Sequence, residues 1–480
     1  MCGIFLGEEA NEEIIELVGN RGRDFQNTIH YKNLVLFSSV LAIRGEVKQP
    51  VVDDDFIFLY NGEIYNDSKS DTVFIKNTIK EVLEKFQTNT INIVEIASEI
   101  YQEINKYENE LALVVLLGDF IVFFKDDMGR KSLGFDSKFF QISSVGYQNE
   151  IDNLYIYIYN LKDTKTQKIK KRSFLTSFYH ENFHRIADFV GEKYNFLKYE
   201  KNIKNELEET INLPGFNNLM LESTTRNRTN LLDFDNLILE STRKRLIGGD
   251  LVVLFSGGID SNIVTLYLLL TSKSTQKIFL INSSFGNSID RKNSEESYKR
   301  FKDLFPRRCI FLIKLDLDIN EMKLRQEYLK RLIYPKTSKM DLNIAAILHY
   351  ASKEASKYSK VCYLGSGADE IFCGYNKYKE DVSFRDKMLF DIFTNSYHNT
   401  TRDDRCISDN NIEPRFIFLD SKILELSFCV EDEKIKNKNI LRELLCKYNL
   451  EDLAGFKKKA MQFGSGLYKI EKEIYSNKEK

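Results

Sequence analysis

The sequence predicts two domains of different class, an N-terminal layered α+β domain followed by a C-terminal doubly wound α/β domain. Three observations predict this. The chain has 480 residues, more than a single core usually organises. Its first half is rich in short apolar or alternating runs set between turn residues, at 34–40, 56–60, 111–117, 120–124, 139–145 and 154–159. From about residue 231 the rhythm becomes helix, apolar strand, glycine turn, helix, with strand candidates at 251–255, 278–282, 309–314 and 361–364.

Within the first half, residues 76–107 depart from the strand pattern. Ile79, Val82, Leu83 and Phe86, then Ile93, Ile96, Ile100 and Ile104, recur at helical spacing. Residues from about 190 to 230 are polar, with blocks of Lys, Asn, Glu and Thr, and read as a linker. The expected division is therefore a first domain at 2–195, a linker at 196–230 and a second domain at 231–480. The last 60 residues read as helical, interrupted by the glycine-bearing segment 464–466.

Bulk composition excludes several classes. Hydrophobic residues make up 42% and charged residues 29%, as in a soluble globular chain. A net charge of -2 offers no electrostatic reason to expect nucleic acid or a membrane as partner. Glu8, Glu9, Glu12 and Glu13 stand where a secretory signal needs an apolar run, and Cys2 rather than glycine follows Met1. The longest apolar stretch, 111–124, is broken by Asp119 and is shorter than the roughly 20 residues that span a bilayer. Two strands joined at Gly118-Asp119 explain it. Seven scattered cysteines with no CxxC argue against a disulfide framework or zinc site, and for a reducing, cytoplasmic setting.

The chemistry concentrates in three places. The apolar run ending in Leu254-Phe255 leads straight into Ser256-Gly257-Gly258-Ile259-Asp260-Ser261 and then an apolar helix. Glycines let backbone approach a phosphate, the helix N-terminus offers free N–H groups, and the Ser256 and Ser261 hydroxyls add donors. Asp260 suits a magnesium ion. The GxxxxGK[ST] spacing of a Walker loop is absent. A second run, 361–364, leads into Gly365-Ser366-Gly367-Ala368-Asp369-Glu370. At the carboxyl ends of parallel strands the two loops would face each other, and Asp260 and Asp369 could share Mg2+ bridging bound phosphates.

The third place is the start of the chain. Removal of Met1 would leave Cys2 with an α-amine able to act as base beside its thiol. Residues 58–60 lead into Asn61-Gly62-Glu63-Ile64-Tyr65-Asn66. A strand ending in Asn-Gly can present the Asn61 amide and the Gly62 N–H to a developing oxyanion, although a plain Asn-Gly hairpin turn has the same letters.

Taken together, Cys2-Gly-Ile with Asn61-Gly-Glu-Ile-Tyr-Asn resembles the class II, N-terminal-nucleophile (Ntn) glutamine amidotransferases. The SGGIDS loop resembles the ATP-pyrophosphatase motif, and GSGADE with Gly374-Tyr375 resembles the pyrophosphate loop of asparagine synthetases. Over nearly its whole length the chain is similar to the glutamine-dependent asparagine synthetase family, on the asparagine synthetase domain-containing branch, as Tyr334-Pro335, Met340-Asp341-Leu342, Arg402-Asp-Asp-Arg405 and 457–465 indicate. Arg21-Gly-Arg-Asp24 stands where the family has an RGPD turn, and Arg130 in a segment that is mostly structural.

The resemblance implies an Ntn-type glutaminase domain joined to an adenine nucleotide alpha hydrolase-like domain. It implies that Cys2 attacks glutamine, Asn61 and Gly62 hold the oxyanion, Glu63 positions the substrate and Asp71 binds its amino group. Leu254, Ser256, Gly257, Gly258, Asp260, Ser261, Gly365, Ser366, Gly367 and Asp369 would bind ATP. A late lysine, Lys459 or else Lys458, would stabilise charge on the transferring phosphates. The implied reaction forms an aspartyl-adenylate and gives asparagine, glutamate, AMP and pyrophosphate, and a homodimer is compatible with it. Three positions depart from the family. Val40 replaces the arginine for the glutamine carboxylate, leaving Arg44 as substitute; the segment between Asn66 and Asp71 is short, so the lid over glutamine is reduced; and Ser366 replaces a glutamate. The rivals are a ligase for another carboxylate, as in β-lactam synthetases, and a regulatory protein that keeps the fold and nucleotide binding without synthesis.

Overall fold

The computed structural model describes residues 2–86, 92–173, 175, 177, 230–378, 384–457, 459 and 461–468. The expected linker at 196–230 lies almost wholly outside the described residues. The N-terminal half is built on two antiparallel sheets. The first contains β1 (Cys2–Gly7), β2 (Phe25–Tyr31), β3 (Leu34–Val40), β8 (Gly134–Asp136) and β9 (Gln141–Ser143), in the order β2-β3-β1-β9-β8. The second contains β4 (Val51–Val52), β5 (Ile57–Ile64), β6 (Asn109–Leu117), β7 (Phe120–Lys125), β10 (Tyr155–Asn160) and β11 (Lys165–Lys170), ordered β11-β10-β7-β6-β5-β4.

Alternation along the strands decides the layering. Ile4, Leu6, Leu34 and Leu36 pack against Leu59, Val114, Leu116, Ile121 and Phe123 between the sheets. The other face of the second sheet, with Phe58, Leu113 and Val115, is covered by helices Asp71–Phe86 and Ile93–Ile104. The hairpin through Gly118-Asp119 forms as the sequence predicts, with Leu117 paired to Phe120. One expectation is corrected. The strand does not end at Asn61-Gly62; β5 runs on to Ile64, paired with Asn109. Gly62 has φ +141°, and a Cβ there would lie 1.8 Å from the Glu110 carbonyl oxygen, so only glycine lets β6 approach so closely.

The C-terminal half carries a five-stranded parallel sheet: β12 (Leu251–Leu254), β13 (Ile278–Ser284), β14 (Ile310–Asp316), β15 (Val361–Leu364) and β16 (Glu413–Phe416), in the order β14-β13-β12-β15-β16. Successive residues of β12 enter different cores, Leu251 and Val253 one and Val252 the other, and Tyr363 and Cys362 of β15 divide likewise. Both faces are buried, as a doubly wound sheet requires. Strand β16 was not among the sequence candidates, because Glu413-Pro-Arg-Phe has charged and proline residues where a buried strand normally has aliphatic ones. The reversal of order between β12 and β15 makes the crevice where such sheets bind ligands. Among the described residues no helix is long and apolar enough to cross a membrane.

The halves meet through buried charge. Arg245 pairs with Glu110 at 2.8 Å, Glu108 at 3.1 Å and Asp420 at 2.9 Å. Arg21 pairs with Asp404 at 2.8 Å, and Arg415 with Glu63 at 2.8 Å. Burial alone would raise the Glu108 carboxyl, but Arg130 and Arg245 pull it down to about 2. Removing one partner from such a network strands the others in low dielectric. Arg245→Ala is therefore expected to destabilise the protein by about 3–5 kcal/mol, read as a lowered thermal midpoint.

Candidate functional site

Cys2 opens β1 and is buried, 5% exposed. Its backbone nitrogen donates to Asn61 Oδ1 at 2.9 Å, which brings the first residue after methionine to the strand 59 positions away. The Asn61 Nδ2 is buried and has no hydrogen-bond partner among the described residues. A buried, unused amide donor beside a thiol is the arrangement that a developing oxyanion would complete. Burial pushes the Cys2 thiol up from its ordinary range. Gln49 was not singled out by sequence reasoning, yet its Nε2 donates to Cys2 Sγ at 3.3 Å and its Oε1 accepts from the Tyr60 N–H at 2.7 Å. Nothing local marks this glutamine; only the fold brings it to the cysteine.

A second cluster joins three of the expected glutamine-binding residues. Arg44 Nη1 lies 3.1 Å from Asp71 Oδ1 and 3.6 Å from Glu63 Oε2. Burial raises the Glu63 carboxyl to about 8, with Arg415 pulling the other way. A cavity of about 380 Å³ opens here between the halves, lined by Arg44, Glu63, Tyr65, Lys244 and Arg415 among others. Arg44, expected in place of the missing carboxylate-binding arginine, lines this cavity and is also held by its own chain. Its guanidinium donates to the carbonyls of Ile64 at 2.7 Å, Asn66 at 3.0 Å and Ser68. It clamps the short 64–68 turn while facing the cavity. Val40 is buried directly opposite Cys2 in the β1–β3 pairing.

The nucleotide-type loops lie side by side, because β12 and β15 are adjacent and parallel. A Cβ on Gly365 would come 2.6 Å from the Asp260 Cβ, so the two turns touch. Gly257 has φ +73°, and a Cβ there would lie 2.3 Å from the Ser294 nitrogen. Leu254 is the half-buried last residue of β12. The Ser256 hydroxyl accepts from the Gly258 N–H at 3.2 Å, and Ser261 donates to the Gly258 carbonyl at 3.1 Å. Gly367 has φ +91° and caps the helical turn that carries Asp369.

At the centre of the paired loops stands Lys438. Its Nζ lies 2.5 Å from Asp260 Oδ1 and 2.6 Å from Asp369 Oδ1. Burial works against its charge, but the two aspartates raise its pKa on balance. Asn437 and Lys438 both adopt left-handed backbone, φ +54° and +58°, which costs about 1–3 kcal/mol at each residue and aims the lysine inward. Gly374 permits the approach, since a Cβ there would lie 2.2 Å from Lys438 Cε. Lys459, the late lysine expected from the resemblance, is exposed, and Lys458 lies outside the described residues. The Gly464–Gly466 segment does return to this edge, where the Phe285 N–H donates to the Ser465 carbonyl at 2.8 Å. Among the described residues no trio of His, Cys, Asp or Glu is arranged for a metal. Asp260 and Asp369 fit an ion that draws its remaining ligands from phosphates and water, as magnesium usually does.

The fold and these sites define a chain that joins a double antiparallel sheet bearing a buried near-terminal cysteine to a parallel sheet bearing two glycine turns around a lysine–diaspartate cluster. Residues 233–388 match the asparagine synthase family model. The chain is 26% identical to an asparagine synthetase domain-containing protein of Drosophila melanogaster, over 97% of each chain. It is 27% identical to one of Saccharomyces cerevisiae, over 96% of this chain and 89% of the other. A putative glutamine-hydrolysing asparagine synthetase of Methanocaldococcus jannaschii is 24% identical over 93% of this chain and 86% of the other. The chain thus carries an asparagine synthase match at 233–388 and is similar over nearly its whole length to asparagine synthetase domain-containing proteins. A solved glutamine phosphoribosylpyrophosphate amidotransferase from B. subtilis, complexed with ADP and GMP, overlaps 65% of this chain and 90% of that one at 11% identity and a TM-score of 0.31, too low to bear on function.

The strained glycine of the first turn is the most direct check on its shape. Gly257→Ala is expected to destabilise the protein by about 1–3 kcal/mol, measured as a lowered thermal midpoint.

Proposed function

We propose that the protein is a glutamine-hydrolysing asparagine synthetase, with an Ntn-type glutaminase half and an adenine nucleotide alpha hydrolase-like half. The observation that carries this reading is the contact of the two glycine turns, with Asp260 and Asp369 gathered around Lys438. Such a cluster suits the polyphosphate of ATP. Backbone N–H groups at the start of helix Ile259–Thr271 hold the phosphates, and Lys438 neutralises charge that builds on the leaving pyrophosphate. Magnesium bound by Asp260 and Asp369 would neutralise the β- and γ-phosphates. An aspartate carboxylate attacks the α-phosphorus and becomes an acyl-adenylate, which converts a poor electrophile into one with AMP as leaving group.

In the other half, the Cys2 thiol attacks the glutamine amide and Asn61 Nδ2 receives the oxyanion. Glu63 and Asp71, buried and close to Arg44, form the acidic end that pairs with the substrate amino group. The ammonia released crosses to the adenylate. One observation favours a second reading for this half alone: Arg44 is engaged with backbone carbonyls, and Val40 rather than an arginine stands opposite Cys2. On that reading the synthetase half works from free ammonia.

The test is product analysis by mass spectrometry with glutamine or ammonia, ATP and aspartate. Formation of AMP and asparagine only when aspartate is present is the expected result; no AMP in any combination would leave a nucleotide-binding regulatory protein. Cys2→Ala is expected to abolish glutamine-driven synthesis and spare ammonia-driven synthesis. Asn61→Ala is expected to lower glutaminase turnover about 10²–10³-fold, measured as glutamate release. Lys438→Met is expected to lower adenylation by a similar factor while Cys2-dependent glutamate release persists.

A further inference from the structure

The carboxylates around the paired turns have different partners. Asp260 and Asp369 are held by Lys438. Glu370 accepts from the Tyr375 hydroxyl at 2.5 Å and from Asn399 Nδ2 at 3.0 Å. A fourth comes from outside the loops. Asp403 lies on helix Thr401–Ser408, every residue of which is buried. Its Oδ1 accepts from Arg402 Nε at 3.0 Å and Nη2 at 2.7 Å, and Arg402 is itself anchored to Asp341 at 2.8 Å. The other oxygen, Oδ2, faces Ser366 Oγ at 3.4 Å, in the second turn. Asp403 is thus a carboxylate with one oxygen fixed and the other aimed at the nucleotide loop.

The same helix reaches the cysteine half. Asp404, the next residue, pairs with Arg21 at 2.8 Å, and Arg21 Nε donates to the Cys2 carbonyl at 3.4 Å. A chain of contacts, Cys2 to Arg21 to Asp404 and, through the neighbouring Asp403, to Ser366, therefore links the two centres.

We propose that Asp403, acting through the Ser366 hydroxyl, is the base of the amide-forming step. This rests on the synthetase reading above. Ammonia attacks the acyl carbon, the C–N bond forms, and the C–O bond to phosphate breaks with its electron pair leaving on AMP. The nitrogen must lose one proton. Ser366 takes it while passing its own to Asp403 Oδ2, and the acid then exchanges with water after product leaves. Burial raises the Asp403 carboxyl against the pull of Arg402, which favours taking up that proton.

The experiment separates the two half-reactions in the full-length protein. Aspartate-dependent ATP–pyrophosphate exchange reads adenylation, and asparagine formation from ammonium chloride reads the second step. Asp403→Asn is expected to keep exchange within about threefold and to lower amide formation about 100-fold. Ser366→Glu in the Asp403→Asn background is expected to restore amide formation at least tenfold, a rescue that a structural role would not give. Ser366→Ala leaves the Asp403–Arg402 pair intact, so it tests the relay even where Asp403→Asn folds poorly; it is expected to lower amide formation relative to exchange. Amide formation at the wild-type rate in Asp403→Asn, or equal loss of both half-reactions in Ser366→Ala, overturns the inference and leaves the synthetase reading standing. Wild-type protein with no aspartate-dependent exchange overturns both.

Discussion

The seam of buried charge between the two halves is the constraint on which the rest of the structure depends. Arg245 alone gathers Glu108 and Glu110 from the N-terminal half and Asp420 from the C-terminal half. Arg130 adds Glu108 at 2.6 Å and reaches across to the Leu419 carbonyl at 2.5 Å. Lys131 donates to the Pro414 carbonyl at 3.1 Å. Ions desolvated this completely are stable only in one relative placement of the two sheets, because any slip leaves a charge unpaired in low dielectric. Apolar contact would tolerate sliding; this seam does not. It sets Glu63 against Arg415, and Arg21 between Cys2 and Asp404, so both candidate centres inherit their geometry from it.

Within the C-terminal half, a parallel sheet with both faces buried leaves its carboxyl edge as the place where chain can be irregular. Two glycine turns occupy neighbouring positions there, and the strained Asn437–Lys438 backbone brings a cation between their aspartates. Left-handed backbone at two successive non-glycine residues persists only where the surroundings over-determine it. Here the Lys438 N–H donates to the Phe372 carbonyl at 2.9 Å and the Asn437 N–H to the Cys373 carbonyl at 3.2 Å, which ties the strained pair to the end of the second loop.

Legibility in the sequence followed how local each signal was. The hairpin at Gly118-Asp119, the helices over 71–86 and 93–104, and β12, β13, β14 and β15 were readable because side-chain periodicity and turn glycines report on neighbours a few residues away. Strand β16 was not, since Arg415 and Glu413 are buried by pairing with charges from distant segments rather than by their own hydrophobicity. Asn61-Gly62 looks like a turn and is the middle of a strand, because the close approach of β6 is what requires the glycine. Lys438 sits in a polar stretch with several lysines, and no local feature separates it from Lys434 or Lys436. Gln49 was equally silent, meeting its partner 47 residues away, and Asp403, although inside Arg402-Asp-Asp-Arg405, had no local sign of the Ser366 it meets 37 residues away.

By itself the sequence determined the class of each half, the order of most elements and the residue types offered at each centre, since helix and strand periods and glycine turns are properties of short segments. Which side chains meet was decided only by the tertiary structure. Packing turned Arg44 onto the carbonyls of its own turn, put Lys438 rather than a later lysine between Asp260 and Asp369, and set Asp403 behind Ser366. The physical reason is that hydrogen bonds and ion pairs act over about 3 Å, a distance that the folded chain closes between residues far apart in sequence.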